Sequence, residues 1–367
     1  MRVIATLFSL ATEPMRKSQL KKNILIVRLS SAGDIVLASP LAEILKRHNP
    51  NSHIVWATQP DSKAFLEHNP YIDEIYLWDR KHWQQLWKKR RLITLVKECF
   101  RVHTELKQKN FQVAYDLQGL FKSGLLAWLS GAKERIGIGS REGSYVFMHK
   151  ILSRNIANRD QMGSEYRYLV NQLGYSDGDW KIQLYANPEA TTARRLAPAL
   201  RPDEAYAVVC PFTTKSEKQW REDHWRELLL RIRGRYQLKT IILGNEEERE
   251  KGEALAKQCG AINLVGIASL AEASNIIHHA KLAVGVDNAL THLSQASNTP
   301  SVAIFGPSRP YMYTDNESSK VVHLDKPCSP CQRRPICKGG FYCMSEITPE
   351  KILTELKVLL RHSNQRI

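Results

Sequence analysis

Residues that could carry out acid–base chemistry or bind an anion follow several short apolar runs in this 367-residue chain. Asp34, Lys218 and Asp287 each come soon after such a run. Short apolar runs are typical of buried strands in a parallel sheet, and these sheets bind ligands beyond the carboxyl ends of their strands. A carboxylate there could remove a proton from a hydroxyl group, and a lysine could stabilise negative charge on a leaving group. The pattern therefore predicts a site for a polar, anionic ligand.

The loop Ser30-Ser31-Ala32-Gly33-Asp34 follows the first predicted strand, Ile24–Val27. A dinucleotide-binding enzyme would carry G-x-G-x-x-G here, and a single glycine argues against a dehydrogenase. The loop offers one carboxylate beside small residues that let a substrate approach, so Asp34 is a candidate general base. The alternative is that Asp34 only caps the helix that follows.

A second group of polar residues follows an apolar run later in the chain. Thr213, Thr214 and Lys218 precede a predicted helix, and two hydroxyls with a cation suit a diphosphate better than they suit a solvated loop. Glu246 and Glu247 come after the next apolar run, where a carboxylate could accept hydrogen bonds from ribose hydroxyls. Most of such an acidic run is normally a solvated helix start.

The stretch Ala283–Ser308 predicts a βαβ unit. Two apolar runs flank residues at helical spacing, and Asn298-Thr299-Pro300 would end the helix. A carboxylate at Asp287 with polar Asn288 beside it suggests a polar ligand held at a helix N-terminus. Taken alone, an ordinary N-cap role for Asp287 is the favoured interpretation.

Four of the seven cysteines are clustered in a C-x2-C-x5-C-x5-C pattern. The opening C-x2-C is typical of zinc sites, and four thiols fill a tetrahedral site. The later spacings are irregular and the segment is short, so we expect free thiols in a loop that rims a cleft, with structural zinc as the alternative. The four residues are Cys328, Cys331, Cys337 and Cys343.

Apolar runs that alternate with helical patterns occur in two successive series. They predict an α/β fold with two domains that face each other across a cleft, and the length suffices for both. A stretch rich in Pro, Ala and Arg interrupts the pattern and marks the boundary. We expect an N-terminal extension over 1–22, a first domain over 23–186, a linker over 187–202, a second domain over 203–345 and a C-terminal helix over 346–367.

The N-terminal residues Val3–Ala11 are mostly apolar, but nine residues are too few to span a bilayer. Thr12-Glu13-Pro14 is a poor signal-peptidase site, so we expect an extension, or translation from Met15, rather than an anchor. No other window resembles a transmembrane helix. A soluble, cytoplasmic protein is the expectation.

The chain carries 53 Lys and Arg against 37 Asp and Glu, a net charge of +16. This favours a polyanionic partner, which could be nucleic acid, a phosphorylated glycolipid or an anionic membrane surface. The segment 80–109 is basic and helical and contains Trp83 and Trp87. It suits a membrane interface and equally an ordinary surface helix whose tryptophans pack inward.

Four separated stretches resemble the ADP-heptose:lipopolysaccharide heptosyltransferase family, glycosyltransferase family 9. They are ILIVRLSSAGDIVLASPLAEIL at 24–45, YDLQGLFKSGLLA at 115–127, TTKSEKQWREDHWREL at 213–228 and GVDNALTHLSQASNTPSVAIFGPS at 285–308. They occur in the family's order, and the first two look more like the heptosyltransferase I type. The resemblance implies the GT-B architecture, in which two Rossmann-like domains with parallel sheets face a central cleft.

The resemblance also implies an activity and the residues that perform it. Family members are inverting transferases that need no metal or other cofactor and move a heptose from ADP-heptose to the inner core of lipopolysaccharide, onto Kdo or the first heptose. Asp34 matches the catalytic base, and Lys218 matches a cation on the donor phosphates. The matched donor-binding residues are Thr213, Thr214, Lys218, Glu246 or Glu247, Asp287, Asn288, Ala289, Leu290 and His292, although His292 could equally be a buried helix histidine. The matched acceptor-binding residues are Ser31, Gly33, Lys122 and Arg141.

One departure from the family pattern concerns the donor. Asn288-Ala289 stands where the family often has Thr-Gly or Ser-Gly. The added methyl group would lie near the donor, so the sugar nucleotide stays open. A family member with another donor or acceptor is the nearer alternative.

The expected partners follow from the resemblance and the charge. We expect a nucleotide-sugar donor, a phosphorylated lipid A–Kdo acceptor and the anionic inner face of the inner membrane, where the protein would be peripheral. We expect a monomer that does not bind nucleic acid. A basic, non-catalytic polyanion-binding protein is the alternative from a different class.

Overall fold

The computed structural model of the chain describes residues 22–154, 160–176, 178, 180–185, 192–201, 203–297, 299–314, 316–331 and 335–364. Apart from Lys22, the expected N-terminal extension lies outside the described residues. Parts of the expected linker and the last residues of the expected C-terminal helix also lie outside them. Within the described chain, no helix combines the length and apolar character needed to cross a lipid bilayer.

The described residues of the first half form a parallel sheet of six strands in the order β3-β2-β1-β4-β5-β6. Its central strand β1 is buried from Ile24 to Val27, as expected for an apolar strand that helices cover on both faces. The strands are β1 Asn23–Val27, β2 His53–Thr58, β3 Glu74–Leu77, β4 Val113–Asp116, β5 Glu134–Ile138 and β6 Lys150–Leu152.

Helices connect these strands. Pro40 occupies the first position of α2, where its missing N–H costs no helical hydrogen bond, and Ser39 precedes it as the N-cap residue. The helices are α1 Ala32–Ala38, α2 Pro40–His48, α3 Arg80–Lys88, α4 Leu92–Lys107, α5 Phe121–Leu129 and α6 Ser164–Gln172.

The basic segment over 80–109 consists of α3 and α4, separated by a turn in which Arg90 has a φ of 51°. Trp83 is buried, whereas Trp87 is 67% exposed. An ordinary surface helix therefore accounts for Trp83 and leaves Trp87 unexplained.

The described residues of the second half form another parallel sheet of six strands, in the order β12-β11-β10-β7-β8-β9. The strands are β7 Tyr206–Cys210, β8 Lys239–Ile242, β9 Ile262–Asn263, β10 Leu282–Val286, β11 Ser301–Ile304 and β12 Ser319–Val322. The helices are α7 Thr192–Leu196, α8 Glu222–Tyr236, α9 Arg249–Cys259, α10 Leu270–His278, α11 Ala289–Ala296, α12 Tyr342–Ser345 and α13 Pro349–Asn364.

Both sheets reverse their strand order at one point, between β1 and β4 in the first sheet and between β7 and β10 in the second. At such a point the chain leaves neighbouring strands toward opposite faces, which opens a crevice beyond their carboxyl ends. The segments that leave these four strands contain Asp34, Lys122, Lys218 and Asp287. The predicted fold class, α/β with two Rossmann-like parallel sheets, is confirmed.

One apolar cluster runs from the first sheet to the second. It includes Trp56 of β2 and Leu293 of α11, which are fully buried. Trp180, between the two halves, stacks on Tyr166 with ring centroids 6.5 Å apart. Helix α1 packs on α11, so the helices that follow β1 and β10 meet where the halves join.

Substituting Leu356 by Ala should lower the free energy of unfolding by about 2–5 kcal/mol, because it leaves a cavity in a packed core. Leu356 of α13 is fully buried in the cluster that also contains Trp220 and Trp225. Urea unfolding followed by tryptophan fluorescence measures the loss. Lys357→Ala is the control at an exposed neighbouring position; equal stability of the two variants would contradict the packing of α13.

Candidate functional site

Asp34 lies in the first turn of α1, just beyond the end of β1. Its Oδ2 atom accepts hydrogen bonds from the Ser31 backbone N–H at 3.3 Å and from Ser31 Oγ at 2.8 Å. The same oxygen lies 2.6 Å from Nη2 of Arg28. The Asp34 side chain is 43% exposed and that of Arg28 only 8%. A buried cation therefore holds a carboxylate that a ligand can still reach.

The environment of Asp34 keeps it ionised. Burial disfavours the charged form, but the Arg28 guanidinium and the hydrogen bonds from Ser31 outweigh it and hold the pKa of Asp34 below its usual range. At neutral pH the carboxylate can accept a proton. Because its pKa is low, it would accept that proton late, once the attacking oxygen has begun to bond and has become more acidic.

Arg28 also joins the loops that leave β1 and β4. Its Nη1 atom donates to Leu117 O at 2.8 Å, and its guanidinium carbon lies 6.0 Å from the centroid of the Tyr166 ring. The Gln118 side chain accepts a hydrogen bond from the Leu29 N–H at 3.0 Å. The carboxylate is therefore positioned by contacts from both strands at the switch point of the first sheet.

Two of the residues predicted to bind an acceptor lie in the same half of the protein as Asp34. Lys122, in the first turn of α5, has its pKa lowered by burial and by the nearby charges of Arg80 and Arg28. Arg141 is exposed, and its backbone N–H donates to Gly119 O at 2.8 Å, which attaches it to the loop after β4. The Arg141 side chain has no hydrogen bond or ion pair within the part of the chain that the structure describes. Lys122 and Arg141 thus place two cations on the segments that follow β4 and β5.

The second carboxylate, Asp287, follows β10 and is 10% exposed. Its Oδ2 atom lies 2.6 Å from Nζ of Lys218 and also accepts a hydrogen bond from Ser308 Oγ. Its Oδ1 atom lies 3.3 Å from Nε2 of His292. Burial alone would raise the pKa of Asp287, but His292 and Lys218 outweigh it and hold this pKa well below the usual range.

His292 links Asp287 to a buried tyrosine. Its Nδ1 atom lies 2.8 Å from the hydroxyl of Tyr311. Burial and the charge of Asp287 raise the pKa of Tyr311 well above its usual value, so this hydroxyl keeps its proton. The hydroxyl can donate to Nδ1 while Nε2–H donates to the carboxylate, an assignment made from the hydrogen-bond network. His292 therefore contacts both Asp287 and Tyr311, and its assignment to the donor site stays a prediction.

The two carboxylate centres meet through Gly33 and His292. A Cβ atom on Gly33 would lie 2.8 Å from Cδ2 of His292, which is too close for any side chain. Gly33 precedes Asp34, and His292 contacts Asp287. The sequence predicted that Gly33 leaves room for a substrate, but in the structure it leaves room for His292 of the second half. This contact brings the surroundings of Asp34 and Asp287 together.

The start of α11 differs from the expectation that Asp287 is its N-cap. The N-cap residue is Asn288, whose Oδ1 accepts from the Thr291 N–H at 2.8 Å. Its Nδ2 donates to Cys210 O at 3.0 Å and to Phe212 O at 2.8 Å. The expectation was wrong by one residue because the Asp287 carboxylate is already held by Lys218 and His292. Helix geometry leaves the N–H groups of Ala289 and Leu290 without acceptors inside α11.

A cavity of about 750 Å³ lies beyond the carboxyl ends of β7, β8 and β9. Thr214, Glu246 and Glu247 are among the residues that line it. The three successive glutamates differ in role, because Glu248 accepts a hydrogen bond from the Asn245 N–H at 2.7 Å and so completes a helix cap. Gly266 has a φ of +68°, and a Cβ atom there would lie 2.7 Å from the backbone Cα of Glu246, so a side chain at this position would be strained.

The cysteine cluster lies beside the segment that follows β11. Cys331 Sγ lies 3.8 Å from Pro307 O, and all four cysteines are free thiols. Burial and the three neighbouring thiols raise the pKa of Cys343 to about 11. Among the described residues, no three His, Cys, Asp or Glu side chains are placed to hold a metal ion.

Sequence reasoning missed three residues of the site: Arg28, Ser308 and Tyr311. Arg28 carried a detectable signal, because it is a cation directly after an apolar strand and shares a loop with Asp34. Ser308 and Tyr311 follow Gly306-Pro307, and nothing local to them indicates a contact with the segment after β10.

Comparison with known proteins shows which family the chain resembles in sequence. The sequence model of glycosyltransferase family 9 (heptosyltransferase) matches residues 99–340, more than half of the chain. Lipopolysaccharide heptosyltransferase 1 of Pseudomonas aeruginosa is 25% identical over 354 residues, which cover 92% of this chain and 98% of that protein.

Solved structures share the fold. A family 9 glycosyltransferase from Veillonella parvula superposes with a TM-score of 0.79 at 21% identity, covering 93% of this chain and 98% of its own. An Escherichia coli heptosyltransferase with ADP-2-deoxy-2-fluoro heptose superposes with a TM-score of 0.68 at 22% identity, covering 91% and 99%.

Substituting Asp287 by Asn should destabilise the protein by about 3 kcal/mol at pH 7, because it leaves the buried Lys218 ammonium without its counter-charge. A depressed carboxyl pKa stabilises the fold above the pKa of the unfolded chain, and this stability is lost only as the pH falls through the lower, folded value. The deficit should therefore be the same at pH 5 as at pH 7.

Urea unfolding at both pH values provides the measurement. Asp223→Asn is the matched control, because Asp223 pairs with Arg221 at the exposed surface and should contribute little. A deficit for Asp287→Asn that disappears at pH 5 would show that the carboxyl group is already protonated there, which requires a raised pKa, and would contradict the network.

Proposed function

The chain belongs to glycosyltransferase family 9, the heptosyltransferases, and from this premise we propose that it transfers a heptose from ADP-heptose to the inner core of lipopolysaccharide. The observation that carries the proposal is that two carboxylates with different partners lie on either side of the Gly33–His292 contact. Asp34 follows Gly33, and Asp287 contacts His292. One is accessible and ready to accept a proton. The other is buried and organises a cation beside a helix N-terminus. A transferase needs both a base for its acceptor and a stabiliser for its leaving group.

Asp34 is the general base of the proposed reaction. The acceptor hydroxyl attacks the anomeric carbon on the face opposite the departing ADP, which inverts the configuration at that carbon. The new C–O bond forms as the bond to the diphosphate oxygen breaks, and the hydroxyl proton passes to Asp34. Arg28 keeps the carboxylate ionised and correctly oriented before the transfer.

The donor diphosphate is proposed to lie at the switch point of the second sheet. Lys218 supplies positive charge, and the free N–H groups of Ala289 and Leu290 at the start of α11 supply hydrogen-bond donors. Thr213 and Thr214 add hydroxyls from the loop after β7. With these groups in place, the reaction as proposed requires no metal ion.

The nucleoside is proposed to occupy the adjoining cavity. Thr214 lines this cavity together with Glu246 and Glu247, which connects the phosphate side to two carboxylates suited to ribose hydroxyls. The E. coli enzyme of similar fold was solved with an ADP-heptose analogue, which supports an adenosine diphosphate donor.

The acceptor is proposed to be a phosphorylated lipid of the lipid A–Kdo type, received on Kdo or the first heptose. Lys122, which lies near Arg28, and Arg141, on the loop that contacts Gly119, supply positive charge that suits phosphates and sugar carboxylates. A lipid acceptor and a net charge of +16 fit a peripheral enzyme on the cytoplasmic face of the inner membrane.

A donor panel tests the substrate assignment. Purified protein with a heptose-free lipid A–Kdo acceptor should transfer sugar from ADP-heptose and not from UDP- or GDP-sugars. Because protein cations serve the diphosphate, a chelator should leave the rate unchanged. Ala289→Gly is a useful companion, since it removes the methyl group near the donor. Transfer from a non-ADP donor alone would overturn the proposed donor.

Asp34→Asn should lower kcat/KM by roughly 10²- to 10⁴-fold, because the amide cannot accept the acceptor proton. Donor affinity measured by calorimetry should stay the same, since Asp34 lies outside the donor network. In the natural enzyme the base is ionised above a depressed pKa, so kcat/KM should not fall between pH 7 and pH 5.

Ser31→Ala is a milder variant that keeps the Asp34 carboxylate but changes its surroundings. It removes the hydroxyl that donates to the carboxylate, so the pKa of Asp34 should rise and the acid limb of the pH profile should move upward. Undiminished transfer by Asp34→Asn would remove Asp34 from the mechanism. Strong salt-sensitive nucleic-acid binding without any transfer would favour the polyanion-binding alternative.

A further inference from the structure

Helix α4 exposes a row of apolar side chains to solvent. Leu92 is 55%, Ile93 76%, Val96 52% and Phe100 68% exposed, and Trp87 at the end of α3 is 67% exposed. Isolated apolar residues are common on protein surfaces, but a contiguous group of large ones marks an interaction site. We call these five residues, together with Lys88, Lys89, Arg90, Arg91 and Lys97, the α3–α4 surface.

The exposed row is separate from the face that packs on the protein. Val102 and Leu106 are fully buried, and Leu95 and Cys99 pack against the same core cluster. At about 100° per residue, these four positions form one stripe and the exposed residues form another, about a quarter of a turn away. Helix α4 thus has two apolar stripes. One packs on the protein core, and the other is exposed to solvent.

Positive charge surrounds the exposed row. Between Asp79 and Glu98 the sequence contains seven Lys and Arg and no Asp or Glu. Four of these cations, at 88–91, stand between Trp87 and Leu92. The first acidic side chain of α4, Glu98, is paired with Arg101 at 2.7 Å. Trp and apolar side chains interleaved with Lys and Arg are typical of a surface that enters the headgroup layer of an anionic bilayer.

The α3–α4 surface adjoins the residues that are proposed to bind the acceptor. Arg80 begins α3 and lies close enough to Lys122 to lower its pKa. Helix α4 packs on both α3 and α5, and α5 exposes Phe121 and Trp128. A bilayer against this surface would bring lipid headgroups to the side of the molecule where the acceptor cations lie.

We propose that the α3–α4 surface docks the protein on an anionic lipid bilayer, with Trp87, Ile93, Val96 and Phe100 in the interfacial layer and the cations of 88–91 on lipid phosphates. This inference rests on the proposed function, since a lipid-linked acceptor lies in such a bilayer. A second copy of the chain is a poorer occupant, because a symmetric contact would place two sets of these cations against each other.

The charged part of the surface is tested by vesicle co-sedimentation of the full chain. Lys88→Gln/Lys89→Gln should bind phosphatidylglycerol–phosphatidylcholine vesicles about tenfold or more weakly than the natural protein at low salt. The matched control, Lys251→Gln/Lys257→Gln, removes the same charge from exposed positions of α9 and should bind like the natural protein. Equal losses for both variants would show an effect of net charge alone and would overturn the proposed surface.

The apolar part is tested by Ile93→Ser against Leu230→Ser, an exposed leucine of α8 in the other half. Ile93→Ser should weaken vesicle binding several-fold, because it removes buried apolar area at the interface, and Leu230→Ser should not. Unfolding midpoints should be unchanged for both. A dimer in solution that Ile93→Ser dissociates, without a change in vesicle binding, would assign the surface to a second copy and overturn the proposal.

Transfer to a deacylated, water-soluble acceptor separates this proposal from the proposed function. Lys88→Gln/Lys89→Gln should retain the natural rate on that acceptor and lose rate only on acceptor embedded in vesicles. Absence of transfer by the natural protein to either acceptor would reject the proposed function, while the vesicle-binding result would still decide the docking surface. Equal rate losses on both acceptors would show that these lysines serve catalysis or folding, against the docking role.

Discussion

The contact between Gly33 and His292 is the constraint on which the site depends. Each half of the protein builds its own crevice at the point where its strand order reverses, and neither crevice contains all the groups that a group transfer needs. Because position 33 has no side chain, α1 can approach α11 until the imidazole lies against the backbone beside Asp34. The apolar cluster shared by both halves maintains this approach.

Two aspartates in one site acquire different properties from their surroundings. Asp34 has one buried cationic partner and remains accessible, so it is available for proton transfer. Asp287 is enclosed by a lysine, a histidine and a serine, which contact both of its carboxylate oxygens. In the proposed reaction the same functional group thus serves as a base in one half and as an organiser of charge in the other.

The sequence was sufficient for the fold class and for the location of the polar residues, because both follow from strand ends and parallel topology. The pairing of Lys218 with Asp287 joins residues 69 positions apart, and no local pattern encodes it. The N-cap of α11 was placed one residue too early because Asp and Asn cap helices equally well. The choice depended on a tertiary contact with Lys218. The exposure of Trp87 depended on tertiary packing, because Trp87 lies in the last turn of α3 and no neighbouring element of the described chain covers it.

Asn288 has a consequence for the way the protein binds and releases its donor. Its side chain is bonded to the loop after β7 and to the first turn of α11, so the two walls of the proposed diphosphate site are joined by one residue. Such a site keeps its shape when it is empty, and little reorganisation accompanies binding. Exchange of spent nucleotide for fresh donor therefore does not require the loop after β7 and the first turn of α11 to move apart.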